Sequence, residues 1–248
     1  MTGRVVTAVA FLWLSAAVPA AADTVRVAHP AQLAPFIYVQ DGKTVGLAAD
    51  ILRAAATREG IAIVFVPESP AQLRTTLTDG TADAIAPAPI IPGRYVFTSA
   101  FLVTGGGLFV RAPKPTPSGL TALSGNTVIT PEAGPFVSFI KQNFPNVKVV
   151  STNKSTSMTS EYLMSLDQVV RGQADAAALN IQEGAWVVAE SFAHKITVPT
   201  RMFTQLSLGL AATGGRHADL LKRFDAGFAA IRADGTLRRI EAKWSNAH

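Results

Sequence analysis

The stretches LTDGTADAIAP (77–87) and VVRGQADAAAL (169–179) are one phrase written twice. Each leads from the end of a helical stretch through a glycine into Ala-Asp-Ala and then an apolar strand, and the two glycines, Gly80 and Gly172, lie 92 residues apart. Glycine is common just past a helix C-terminus, so two ordinary helix ends would also produce the phrase. Its matching place within two similar α/β blocks favours a pair of equivalent lobes.

The surrounding chain alternates strand-like and helical runs, the pattern of an α/β protein. TVRVA (24–28) and IAIVFV (61–66) read as buried strands flanking GLAADILRAAATREG (46–60), in which Leu47, Ile51, Ala54 and Ala55 share a helical face and Gly60 ends the helix. In the second block NTVIT (126–130) reads as a strand, GPFVSFIKQNF (134–144) as a helix with Pro135 in its first turn, and VKVV (147–150) as a strand. Between the blocks, TGGGLFVRAPKPTPSG (104–119) reads as a strand leaving one lobe followed by a proline-rich, mobile connection. Its three glycines do not make a phosphate cradle, because no GK[ST] and no helix follow. SLGLAAT (207–213) reads as the return strand, and the tail 216–244 as a helix carrying Leu220, Phe224, Phe228 and Ile231 on one side and broken at Gly235. Two crossings place the C-terminus back on the first lobe. The expected division is residues 1–22 as a signal peptide, 23–110 with 208–248 as lobe 1, and 111–207 as lobe 2.

The signal-peptide reading rests on Arg4, the apolar run VVTAVAFLWLSAAV (5–18) and small residues up to Ala22, after which cleavage is expected. That run is shorter than the roughly 20 residues a membrane span needs. The remaining 226 residues contain no cysteine, which excludes a disulfide framework, a thiolate nucleophile and a lipid-bearing cysteine. They carry 21 basic and 17 acidic residues, a net +4. The basic side chains are scattered rather than clustered on one face, so no nucleic-acid partner is expected, and the mild positive field suits an anionic ligand.

Ligands of open α/β sheets sit beyond the carboxyl ends of the strands. The segments after the twin strands, 86–94 and 179–183, should therefore face each other across a cleft. In APAPIIPGRYVFTSAFL (86–102) a proline-rich turn delivers one arginine, Arg94, and such a turn would present its guanidinium rigidly. His29, just past the first strand, is the one histidine placed to reach the same cleft.

In order, APFIYVQDGKTVGLAADI (34–51), LTDGTADAI, IIPGR (90–94), FTSAFL (97–102), NTVITPEAGPFVSFIKQNFP (126–145), RGQADA (171–176) and ADGTLRRIEAKW (233–244) resemble the polar amino-acid group of type II periplasmic solute-binding proteins of ABC importers. The resemblance covers nearly all of 24–245. It implies a two-lobed type II periplasmic binding protein fold, α/β in class, with a ligand cleft between lobes joined by two hinge strands. It implies a periplasmic monomer with no cofactor, and as partners a small carboxylate-bearing ligand and an inner-membrane ABC permease. Matched residue by residue, Arg94 falls on the arginine that clamps the ligand carboxylate, and Phe36 on the aromatic that closes over the ligand. Ala133, Gly134 and Pro135 fall on the backbone donors at a helix start, where Pro135 has no N–H to give. Ala88 and Pro89 occupy the first-lobe wall, Pro89 replacing a hydroxyl residue and Pro30 standing near an acidic or polar one. Asn180 replaces the aspartate that receives the ligand's α-ammonium. A buried ammonium without a carboxylate partner is strongly disfavoured, so a standard α-amino acid fits less well than the fold suggests. Glu183, one turn beyond Asn180, or Glu132 at the mouth of the second-lobe helix, would restore negative charge. The stretch 151–163 is longer, and 92–97 shorter, than the family's usual connections.

The inventory for catalysis is thin. His29, His194, His217 and His248 show no metal spacing, and there is no G-x-S-x-G and no P-loop. One enzymatic alternative is the cyclohexadienyl dehydratases, similar in fold to these binding proteins, with Arg94 for a carboxylate and Glu183 as the acid for a departing hydroxyl. A third reading is a periplasmic sensor or partner protein on the same scaffold. The expected activity is binding, with no catalytic residues, metal or cofactor.

Overall fold

A computed structural model describes residues 23–245 apart from 70, 92, 94, 133, 154–156 and 216. The expected signal peptide, residues 1–22, lies outside the described residues, as do Arg94 and Ala133. In chain order the elements are β1 (Asp23–Pro30), β2 (Gln32–Leu33), β3 (Ile37–Gln40), β4 (Lys43–Val45), α1 (Leu47–Arg58), β5 (Ile61–Glu68), β6 (Ala84–Pro89), β7 (Val96–Phe97) and β8 (Leu102–Arg111). There follow β9 (Thr127–Thr130), α2 (Phe136–Asn143), β10 (Lys148–Ser151), α3 (Met158–Val170), β11 (Ala176–Asn180), α4 (Ile181–Ser191), β12 (Ile196–Thr197), β13 (Thr204–Ala212), α5 (Ala218–Ala233) and α6 (Thr236–Ser245).

Ten strands form one continuous sheet in the order β10-β9-β11-β8-β13-β6-β1-β5, with β12 on β8 and β7 on β13; β2, β3 and β4 make a small separate sheet. The outer trios are parallel, β5 and β6 on β1 in one lobe and β10 and β11 on β9 in the other. The two middle strands run antiparallel to each other and to their neighbours. Residues 102–106 of β8 pair with β13, and 106–109 pair with β11, so the strand changes lobes at Gly106. β13 makes the same change at Leu208, which pairs with both β8 and β6.

The three glycines of β8 have a packing reason. A Cβ on Gly105 would collide with the carbonyl oxygen of Thr204, one on Gly106 with the Phe203 ring, and one on Gly107 with Pro199. Only bare backbone lets the strands cross this closely.

Each lobe carries its own core. In lobe 1, Ile51, Leu52 and Ala55 of α1 meet Phe224, Phe228 and Ile231 of α5 over Val27 and Leu210. In lobe 2 the strands alternate with period two. Phe109, Ile129 and Leu179 face α3 and α4, while Leu108, Val128 and Ala178 face α2. Helices on both faces require both sets to be apolar.

The twin phrase has a shared structural job. In lobe 1 the Asp83 carboxylate accepts the backbone N–H of Arg26 at 2.8 Å, and its own N–H donates to Arg26 O at 2.9 Å. In lobe 2 Asp175 Oδ2 accepts the backbone N–H of Thr127 at 2.9 Å, and its N–H donates to Thr127 O at 2.9 Å. Each aspartate clips the start of one parallel strand to the next. The helical lead-in differs. Before Gly172 it is α3, but before Gly80 it is a 3-10 turn, Gln72–Arg74, followed by turns. The hydroxyls of Thr75 and Thr78 donate to the carbonyls of Gln72 and Thr75, competition of the kind that disfavours a helix.

Candidate functional site

Between the lobes lies a cavity of about 220 Å³. Lobe 1 lines it with Pro30, Leu33, Phe36, Pro87, Pro89 and Leu208, the crossing strands with Thr104 and Leu206, and lobe 2 with Pro131, Gly134, Pro135, Phe136, Met158, Tyr162, Asn180 and Glu183. The ends of β1, β6, β9 and β11 all converge on it, as the strand directions require.

Phe36 is fixed by backbone rather than by side-chain contacts alone. No side chain caps α1; the carbonyls of Pro35 and Phe36 accept the N–H groups of Leu47 and Ala48 at 3.0 and 2.7 Å. Gly46, at φ 126°, permits this approach, since a Cβ there would strike Phe36 O. The Phe36 ring, 1% exposed, walls the cavity off from a wider cleft of about 760 Å³ lined in part by Phe101, Trp186, Leu237 and Trp244. That cleft runs along helix flanks. The polar groups at the strand ends gather in the smaller cavity.

Asn180 closes β11 and caps α4. Its Oδ1 accepts from the N–H groups of Gln182 (3.1 Å) and Glu183 (3.3 Å) and from Thr104 Oγ1 (3.0 Å), and Thr104 Oγ1 also touches the Gln182 side-chain amide. The Asn180 N–H donates to the Tyr162 hydroxyl at 3.3 Å. α4 is pressed onto β8 through Gly184, where a Cβ would enter the Phe109 ring. Glu183, the third residue of α4, is thereby held beside Tyr162. Burial pushes its carboxyl up to about 7, and the Tyr162 hydrogen bond offsets this only in part. Burial likewise raises the Tyr162 hydroxyl well above its ordinary value, and the negative charge of Glu183 adds to the effect.

The cavity thus brings together Phe36, Pro89, Gly134, Asn180 and Glu183 among the residues expected from sequence. Ala88 is in β6 between Pro87 and Pro89, and strand alternation turns it to the other face, where it pairs with Gly209. His29 is completely buried in lobe 1 and does not line the cavity. Its Nδ1 donates to Pro30 O at 2.8 Å, its Nε2 accepts from Thr44 Oγ1 at 3.0 Å, and its ring meets the edge of Phe65. Burial lowers its pKa, so the imidazole is neutral packing. Glu132 is exposed and outside the lining. Gly134 lines the cavity, yet its N–H donates to Pro131 O at 3.1 Å. Sequence reasoning missed Tyr162, Thr104 and Met158. The signal for Tyr162 was its place on the α3 face shared with Leu166 and Val169, where a buried hydroxyl demands a partner.

Comparison with known proteins agrees with this architecture. The family model described as "Bacterial extracellular solute-binding proteins, family 3" matches residues 25–247. The "Putative amino-acid ABC transporter-binding protein PatH" of Vibrio harveyi is 23% identical over 244 residues, 97% of this chain and 96% of that protein. Among solved structures, a histidine kinase sensor domain with similarity to periplasmic binding proteins superposes with a TM-score of 0.74 at 22% identity, covering 91% of this chain and 97% of that one. An ancestral amino acid-binding protein described as a precursor of cyclohexadienyl dehydratase gives 0.69 at 22% identity, covering 89% and 94%. The family model and the curated relative are both described as binding proteins, in line with the expected binding activity. With two lobes, two crossing strands and a cleft at the strand ends, the chain belongs to the bacterial extracellular solute-binding proteins of family 3.

Proposed function

We propose that the protein captures a small carboxylate-bearing solute between its lobes and delivers it to an inner-membrane ABC permease. The observation that carries this reading is a small cavity to which both lobes and both crossing strands contribute walls, so that a complete contact set exists only when the lobes are together. Its volume, about 220 Å³, falls below the range typical of drug-sized ligands and suits a molecule of amino-acid size. Phe36, Met158 and Leu206 cover an apolar body, and Asn180 with Glu183 meets a polar end. Arg94, assigned by resemblance, supplies the cation for the carboxylate. The relative named as an amino-acid ABC transporter-binding protein supports delivery to an importer.

Thermal-shift screening of the chain from residue 23 onward against amino acids, oxo acids, hydroxy acids and dicarboxylates tests the reading. At a hundredfold excess over Kd a true ligand raises Tm by roughly 5–10 °C. Loss of Arg94 in Arg94→Ala should weaken that ligand by about 10- to 150-fold, the equivalent of one charge-assisted hydrogen bond. No shift with any carboxylate, or an Arg94→Ala protein that binds like the parent, refutes the proposal.

A further inference from the structure

The Asn180 amide is oriented by chemistry. Two backbone N–H groups converge on one of its side-chain atoms, and only the oxygen can accept them. Those two N–H groups engage both lone pairs of Oδ1, and the Thr104 hydroxyl, shared with the Gln182 side chain, crowds the same oxygen. What remains for a ligand is Nδ2, a donor, and among the described residues no hydrogen bond uses it. The residue is 6% exposed and lines the cavity.

Its neighbours do not restore an acceptor for a cation. Tyr162 accepts the Asn180 N–H, and its single proton goes to Glu183. Glu183 shares its proton at neutrality, since burial holds the carboxyl up to about 7, so it offers at most a fractional charge. The N-terminus of α4, with its positive dipole end, opens toward the same place. An α-ammonium would bring three donors and a full charge to a corner already supplied with donors, and burial without a counter-charge disfavours it.

Resting on the carboxylate reading above, we propose that the ligand is an amine-free carboxylate with a neutral oxygen at C2, a 2-oxo acid with a short aliphatic body, and that Asn180 Nδ2 donates to that oxygen. The apolar lining from Phe36, Met158, Leu206 and Leu208 and the small volume set the length of the body. A 2-hydroxy acid keeps the same acceptor and binds as a second choice.

The test is titration calorimetry at pH 6.5 with pairs that share a carbon skeleton: 3-methyl-2-oxobutanoate against valine, and 4-methyl-2-oxopentanoate against leucine, with the 2-hydroxy acids alongside. The oxo acid should bind at least about 30-fold tighter than its amino acid. Asn180→Asp keeps the helix cap and frees a second oxygen as acceptor. It should narrow that ratio at least about tenfold, with circular dichroism confirming the fold. An amino acid that binds as tightly as its oxo acid overturns this inference and leaves the carboxylate reading standing. An unchanged ratio in folded Asn180→Asp overturns the role of Asn180. Binding of neither class overturns the carboxylate reading and this inference with it.

Discussion

Burial lifts the Glu183 carboxyl from 4.5 to about 7 and depresses the His29 imidazole below 6.5, and the two tie stability to pH with opposite signs. Glu183 binds its proton more tightly folded than unfolded. Its contribution is therefore complete below about pH 4.5 and is lost as pH rises through about 7, an effect on the order of 3 kcal/mol. His29 binds its proton less tightly folded, so its contribution is complete above about pH 6.5 and is lost as pH falls toward its lowered native value. Glu183→Gln removes only the first slope. Urea melts should show the variant gaining on the parent by up to about 3 kcal/mol between pH 4.5 and 8. A constant difference across that range would show that Glu183 is not buried as described. At this scale the sequence was readable where a residue's role follows from its place after a strand. Asn180 and Glu183 lie at the end of β11 and the start of α4, and both reach the cavity. His29 lies near the end of β1, but its direction was set by Thr44 and Phe65, partners brought in from β4 and β5. Tyr162 was hidden for a similar reason, because what it touches depends on how α3 docks beneath β11.

The strands and helices with clear periodicity or a terminal glycine were legible. α1 ends at Arg58, with Gly60 just beyond it at φ 64°, and Gly235, at φ 75°, separates α5 from α6. The segment before Gly80 was not, because threonine hydroxyls turned helical spacing into successive turns. Short strands such as β2, β7 and β12, each two residues long, leave no periodic trace in sequence. The glycines of β8 were noticed, but their cause lies in Pro199, Phe203 and Thr204, on the approach to and start of β13, about a hundred residues away. Their necessity can be measured. Gly105→Ala drives a methyl group into the Thr204 backbone and should cost about 2–3 kcal/mol of stability, whereas Gly214→Ala, with open space around it, should change little. Equal melting temperatures for the two variants would argue against close contact of the crossing strands.

At the scale of the whole molecule, the lobes are joined in the sheet by β8 and β13, and Tyr38 of lobe 1 rests against Trp186 of lobe 2 at 5.7 Å between ring centroids. The proposed capture between the lobes needs each lobe's strand register to hold, and the paired aspartates of the repeated phrase each act within a single lobe. Asp83 binds Arg26 and Asp175 binds Thr127, both within one lobe. Burial alone would raise the Asp83 carboxyl, but the hydrogen bonds and charge of Arg26 outweigh it and hold it low, so the clip stays ionised. Asp175→Ala should speed amide hydrogen exchange in β9 and β11 by roughly 10- to 150-fold while β1 and β6 keep their parental rates. Equal acceleration in both halves would mean that they open as one cooperative unit. Each half therefore carries a private fastener, and damage to one is a local fault that its twin does not inherit.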